Sequence, residues 1–110
     1  MKLLLALAAL SLTACAEPTV IERINIEVNH TRTYQHYAAK DYRYLKPGEG
    51  GNCAAFAETK RLELAKVGIS SRIMACTLRD GVGHAFVLTD AGVLDNRFDE
   101  VVRFGDVGCR

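Results

Sequence analysis

Three residues of this chain carry side chains that can do covalent chemistry together: Cys53, His84 and Asp95, in that order. Cys53 follows Gly50-Gly51-Asn52 and opens the run Ala54-Ala55-Phe56-Ala57. Asn52 suits a helix N-cap, which puts Cys53 in the first turn. There, unpaired N–H groups and the positive end of the helix dipole favour a thiolate. A thiol so placed can have a strongly lowered pKa and serve as a nucleophile. The two glycines are expected to let a substrate approach without a side chain in the way. Gly83-His84-Ala85 offers a base and Val93-Leu94-Asp95-Asn96 a carboxylate to orient it. In that arrangement Cys53 attacks an acyl carbon, His84 takes and returns the proton, and Asp95 holds the imidazole in its useful tautomer. The Cys53 N–H is a natural oxyanion donor, with Gln35 or Asn52 as candidates for a second. Each residue also has a plainer use, as a small buried thiol, a hydrogen-bonded core histidine or a turn carboxylate. It is their combination, with the cysteine at a helix start, that favours chemistry. Replacing any of the three is therefore expected to leave folding largely intact.

The elements that must position these residues are legible from periodicity. The nucleophile helix is expected over Cys53 to about Val67, closed by Gly68. Cys53, Phe56, Ala57, Leu64 and Val67 share one face, interrupted by Lys60. Lys46-Pro47-Gly48-Glu49-Gly50-Gly51 is the loop that leads into it. Strands are expected over Arg72–Leu78 and His84–Thr89, with a turn at 79–83, and a tight turn at Asp90-Ala91-Gly92 opens a third strand through Asp95. His84, Phe86 and Leu88 share a face by the two-residue period. Asp95 is a diagonal neighbour of His84 if Phe86 pairs with Asp95, and is separated from it by a one-residue slip. Further upstream, Ile21, Ile24 and Val28 have helical spacing from Pro18 to about Asn29, although Ile24 to Val28 also alternates as a strand does. Helix is the reading adopted. The four tyrosines at 34, 37, 42 and 44 are expected to cover the core, with substrate contact as the alternative. His30 and His36 read as surface residues. Val101, Val102 and Phe104 could form a last strand.

Met1-Lys2 and the apolar run Leu3–Leu12 read as a secretion signal, too short to span a bilayer permanently. Leu12-Thr13-Ala14-Cys15 resembles the lipobox of bacterial lipoproteins. Cleavage after residue 14 would leave Cys15 as a lipid-modified N-terminus in the cell envelope, facing the periplasm. Ala14-Cys15-Ala16 also fits ordinary signal cleavage, which would give a soluble periplasmic or secreted protein. Removing 1–14 takes Lys2 with it and leaves 13 basic against 13 acidic residues. With no clustered basic face, a nucleic-acid partner is not expected. The remaining length supports one modest core and no second domain. No Cys-x-x-Cys or paired-His spacing supports a metal site, and no cofactor is expected.

Together, Gly51-Asn52-Cys53 at a helix start, Gly83-His84-Ala85 and Val93-Leu94-Asp95-Asn96 look like the bacterial transglutaminase-like cysteine proteinases. Phe56-Ala57, Lys60, Leu64, Gly68-Ile69 and Val28-Asn29 add to the resemblance, which covers about residues 20–104. It implies an α+β, papain-like/transglutaminase-like core, with a nucleophile helix packed on a small antiparallel sheet that supplies His84 and Asp95. The organisation expected is a lipoprotein-type signal over 1–14, a tether over 15–19 and this domain over 20–110. Better-studied relatives cleave surface adhesins in the periplasm and carry calcium-binding acidic residues on both sides of the nucleophile. Here those neighbours are Asn52 and Ala54, so calcium is not expected. The chain is also markedly shorter than those relatives, so adhesin specificity is not carried over. The function expected is a cysteine peptidase acting on an envelope protein or peptide. An acyl transferase on the same triad and a non-catalytic envelope binding module are the alternatives. In an exported protein, once Cys15 and Cys53 are assigned, Cys76 and Cys109 remain as a disulfide pair; the alternative is a buried Cys76 and a loose Cys109.

Overall fold

The computed structural model describes residues 18–110 and has a mixed α+β architecture of two helices and two sheets. The expected signal over 1–14 and the lipidation site Cys15 lie outside the described residues. No helix among the described residues is long and apolar enough to cross a membrane.

Helix α1 spans Val20–Thr31. Pro18 stands one residue before the cap, because Thr19 is the N-cap. The Thr19 hydroxyl accepts from the Glu22 N–H, and the Glu22 carboxylate accepts from the Thr19 N–H. This reciprocal pairing satisfies two donors that the first turn would otherwise leave open, and it resolves the helix–strand ambiguity over Ile24–Val28. Two-residue strands follow, β1 at Thr33–Tyr34 and β2 at Gly50–Gly51. They pair in parallel with Tyr34 opposite Gly51. Arg32, almost wholly buried, fastens the intervening loop by donating from Nε to the Leu45 carbonyl at 2.8 Å. The Leu45 N–H in turn donates to Thr59 Oγ1 on the next helix.

That helix, α2, spans Cys53–Lys66 and stops at Gly68, which takes φ +79°. The Ile69 N–H returns to the Leu64 carbonyl at 2.9 Å to close the last turn. Four antiparallel strands form the main sheet in sequence order: β3 Arg72–Thr77, β4 Gly83–Thr89, β5 Gly92–Asp95 and β6 Phe98–Val102. Phe104 belongs to a short 3-10 turn, Phe104–Asp106, and not to the last strand. Gly92 is required at the β4–β5 turn. Its φ is +134°, and a Cβ there would lie 2.8 Å from the Val102 carbonyl oxygen.

The sheet is covered on both faces. Ala54, Ala57 and Leu64 of α2 pack with Ala85, Val87 and Leu94. On the other side, Phe86, Val93 and Val107 form a second cluster with Met74, Cys76 and Cys109 at its margin. Cys76 and Cys109 are joined by a disulfide, which pins the C-terminal segment across the end of β3.

Two residues, one within α2 and one at its C-cap, depart from the periodic reading. Val67 is exposed, and Lys60 is buried at 1% exposure with no hydrogen-bond partner for Nζ. Its nitrogen lies 5.9 Å from the Phe56 ring centroid. Burial drives the Lys60 ammonium down to about 7, and the Asp95 and Asp99 carboxylates oppose that fall only in part. A pKa lowered on folding means that the unfolded chain holds more protons between about 7 and the ordinary 10.5, so this residue makes stability rise with pH across that window. Lys60→Met keeps the bulk and removes the charge. The variant is expected to exceed wild type by up to about 3 kcal/mol below pH 7, with the gap closing towards pH 10. Urea melts of both proteins at pH 6 and pH 10 check this; a gap independent of pH would contradict it.

Candidate active site

Helix α2 and strands β4 and β5 bring Cys53, His84 and Asp95 together. Asn52 is the N-cap of α2, its Oδ1 accepting from the Ala54 and Ala55 N–H groups. Its own NH2 donates to the Tyr37 and Ala39 carbonyls at 3.0 and 2.7 Å. Both of its donors are therefore spent on the loop before the helix, and Asn52 has none to offer an oxyanion. This corrects one of the two sequence candidates. The other, Gln35, is exposed, packs its amide against Gly50 and does not line the cleft described below.

Gly50 and Gly51 also serve differently from the expectation that they open an approach for substrate. Neither lines the cleft. A Cβ on Gly50 would sit 2.6 Å from Gln35 Nε2, and one on Gly51 2.7 Å from the Ala55 Cβ. The pair is glycine because β1 and α2 pack against it.

In the β4–β5 hairpin, Val87 pairs with Leu94, Leu88 with Val93 and Thr89 with Gly92. One step further this register sets Phe86 opposite Asp95, the arrangement that brings Asp95 diagonally to His84. A register shift against β6 between Val93 and Asp95 turns the carboxylate locally. His84 Nε2 then lies 2.8 Å from Asp95 Oδ2, with Asp95 fully enclosed and His84 nearly so. The imidazole stacks on Phe86 at 6.1 Å between ring centroids. With Nε2 engaged, Nδ1 is the ring nitrogen left for the Cys53 thiol, which lies close enough for the two groups to shift one another's titration.

The electrostatics follow from these contacts. Burial by itself raises the Cys53 thiol, but the adjacent His84 and the nearby Ala85 and Ala54 N–H dipoles outweigh it and leave the pKa below the ordinary value. Burial lowers the His84 imidazolium, yet the hydrogen bonds to Asp95 and Cys53 carry it up to about 9. Burial likewise raises Asp95, and the donors His84 and Arg97 bring it well below the usual carboxylate range. Both shifts favour a thiolate–imidazolium pair backed by a carboxylate.

Arg97 is the functional residue that sequence reasoning missed. Its Nε donates to Asp95 Oδ1 at 3.0 Å and its Nη2 to Asp95 Oδ2 at 2.8 Å, while its backbone N–H donates to Oδ1 at 2.9 Å. Nη2 also reaches the Val107 carbonyl, so the disulfide-pinned tail holds the guanidinium in place. The available signal was an arginine two residues beyond a turn carboxylate, the spacing at which a side chain and its own N–H can both return to that carboxylate.

Cys53, the free cysteine among the described residues, is half-buried at the floor of a cleft of about 730 Å³. Small residues such as Ala39, Ala75 and Gly83 line it, with Tyr34, Tyr37 and Tyr42 as aromatic walls. Three of the four tyrosines therefore line the cleft, Tyr34 while also packing edge-on to the buried Phe56. Tyr44 does not line it; its hydroxyl is bonded to Glu63 and its ring lies beside the Arg32 guanidinium. His36 lines the cleft as well, whereas His30 is exposed and pairs with Asp99 at 2.7 Å. A second cleft of about 350 Å³ adjoins the first past Tyr34 and His84 and reaches Arg97. Compared with models of known protein families and with curated proteins, the chain matches none.

Proposed function

We propose that this protein is a thiol hydrolase, a cysteine peptidase acting on a protein or peptide of the bacterial envelope, built on a papain-like/transglutaminase-like core. The observation that carries the reading is the juxtaposition of Cys53, His84 and Asp95, with His84 hydrogen-bonded to Asp95, beside a cleft of about 730 Å³ that Cys53 and His84 both line. The Cys53 thiolate attacks the acyl carbon, and the carbonyl π pair moves onto oxygen. The tetrahedral intermediate collapses to a thioester, with His84 giving its proton to the departing amine. Water then attacks the thioester while His84 takes its proton, and acid and free thiol are released. An amine in place of water gives acyl transfer from the same thioester. A binding module without activity is the remaining alternative, and it has no use for the buried carboxylate behind the histidine. The leader and Cys15 add a proposal of their own from sequence: export and a lipid anchor, with the domain facing the periplasm. Soluble export remains the other form of it.

The test uses p-nitrophenyl acetate as an acyl donor. Wild type is expected to release a burst of about one p-nitrophenolate per chain and to hold the acetyl group on the Cys53 peptide, while Cys53→Ala shows neither. Acetylation no faster than that of a free cysteine thiol would remove the catalytic reading. Adding glycine amide during turnover separates the two enzymatic forms, since only a transferase diverts most of the acetyl group to the amine.

A further inference from the structure

The proposed thioester chemistry needs two donors for the oxyanion, and the first turn of α2 supplies one. The Ala54 and Ala55 N–H groups are taken by Asn52 Oδ1 and the Phe56 N–H by the Asn52 carbonyl. The Cys53 N–H has no protein acceptor among the described residues. With the Asn52 side chain spent and Gln35 outside the cleft lining, the two residues expected from sequence leave the second donor to another group. The Tyr37 hydroxyl is also spent, since it donates to Asp41.

We propose that the Tyr34 hydroxyl is the second oxyanion donor, a catalytic residue that meets the substrate oxygen across the cleft from the Cys53 N–H. Four observations place it. Tyr34 lies opposite Gly51 in the β1–β2 pairing, two residues before the nucleophile, and the Gln35 N–H locks that position to the Gly51 carbonyl at 2.9 Å. Its ring stands edge-on to Phe56, one turn along α2, at 5.9 Å between centroids, so the ring is braced by the nucleophile helix itself. Tyr34 lines both clefts, as His84 does, and therefore stands at the point where they meet beside the triad. Finally, the hydroxyl has one hydrogen-bond partner among the described residues, His36 Nδ1, at a long 3.4 Å. Its proton is free to turn towards a stronger acceptor.

The local charges suit a donor that keeps its proton. Burial, and then the negative Cys53 and Asp95, raise the Tyr34 phenol above its ordinary value, with Arg97 opposing in part, and so favour the protonated form. As sulfur attacks, negative charge leaves the thiolate and appears on the substrate oxygen. The hydroxyl then gains a charge-assisted hydrogen bond that the ground-state carbonyl does not offer. The proton remains on Tyr34 throughout. When the intermediate collapses, the oxygen lone pair reforms the carbonyl and the bond weakens again.

This proposal rests on the hydrolase reading, and the experiment separates the two. Tyr34→Phe retains the ring and its contact with Phe56 and removes only the oxygen. Acylation of Cys53 by p-nitrophenyl acetate passes through an oxyanion; alkylation by iodoacetamide, a displacement at saturated carbon, does not. Tyr34→Phe is expected to slow acylation about 100-fold at saturating thiolate, with alkylation within twofold of wild type across the pH range. Equal acylation rates in the variant and wild type would overturn the proposal. A parallel loss of both rates would overturn it too, because Tyr34 would then act on the thiolate or the fold. If wild type itself fails to acylate at Cys53, the hydrolase reading falls and this assignment falls with it.

Discussion

Replacing His84 with alanine is expected to shift the pH profile of Cys53 alkylation upwards and to slow acylation by roughly 10²–10⁴-fold. In wild type the neighbouring His84, together with the Ala85 and Ala54 N–H groups, overcomes the cost of burying a thiolate. Without the imidazole, burial remains and only the Ala85 and Ala54 N–H groups oppose it. The variant thiol should therefore titrate near or above an ordinary cysteine, with a pKa of about 8.5. Iodoacetamide rates measured from pH 5 to pH 10 on both proteins give the two profiles directly. Superimposable curves with an ordinary thiol pKa would show that the two side chains are uncoupled. Stability should move as well, in a direction set by the pKa. The His84 imidazole is raised on folding from 6.5 to about 9, so its contribution is complete below pH 6.5 and disappears as the pH passes 9. His84→Ala should accordingly cost about 2 kcal/mol at pH 6 and much less at pH 10.

The second large effect belongs to Asp95. Asp95→Asn is expected to lower acylation by roughly 10²–10⁴-fold and to destabilise the fold by about 3 kcal/mol at pH 7. From sequence, this replacement was expected to leave the fold intact. The structure gives the reason it should not. Every group around the carboxylate is a donor: His84 Nε2 and Arg97 Nη2 at Oδ2, Arg97 Nε and the Arg97 N–H at Oδ1. An asparagine presents one acceptor and one NH2 group, so either orientation sets N–H against N–H. If the NH2 faces Arg97, the two guanidinium and backbone donors lose their acceptor. If it faces His84, Nε2 must accept, the ring proton moves to Nδ1, and the imidazole can no longer take a proton from the thiol side. The sign of the pH dependence distinguishes this from simple loss of packing. Asp95 is depressed on folding, so its stabilisation is present above pH 4 and is lost as the pH falls through its low folded value. Wild type and Asp95→Asn should therefore converge in strong acid, which chemical denaturation at pH 2, 4 and 7 would measure.

Local patterns were enough to set out the main helices and strands. Asn52 before an alanine-rich run marks a helix start because a short polar side chain can reach the open N–H groups of the first turn. Gly68 marks its end because φ +79° suits a residue without Cβ. The alternation through β4 and the Asp90-Ala91-Gly92 turn made the hairpin legible, and cysteine counting together with the expectation of export reached the Cys76–Cys109 bridge that the fold contains. These features are decided within a few residues of themselves, or by elimination among very few candidates.

What tertiary structure alone decided is where non-local groups meet. Hairpin register, not composition, set Asp95 against His84, since a one-residue slip would have carried every β5 side chain to the other face. The parallel contact between Thr33–Tyr34 and Gly50–Gly51 involves only two residues a side, too short to produce a period. It nevertheless turns Tyr34 towards the cleft and sets Gln35 against Gly50. Lys60 interrupts an apolar face in sequence and is buried in space because α1, α2 and the sheet close around it, which no helical pattern records. Arg97 became part of the site through the Val107 carbonyl, ten residues away along the chain and held there by the disulfide. Periodicity reports which side of its own element a residue occupies; the partners across the gap are fixed only when the elements pack.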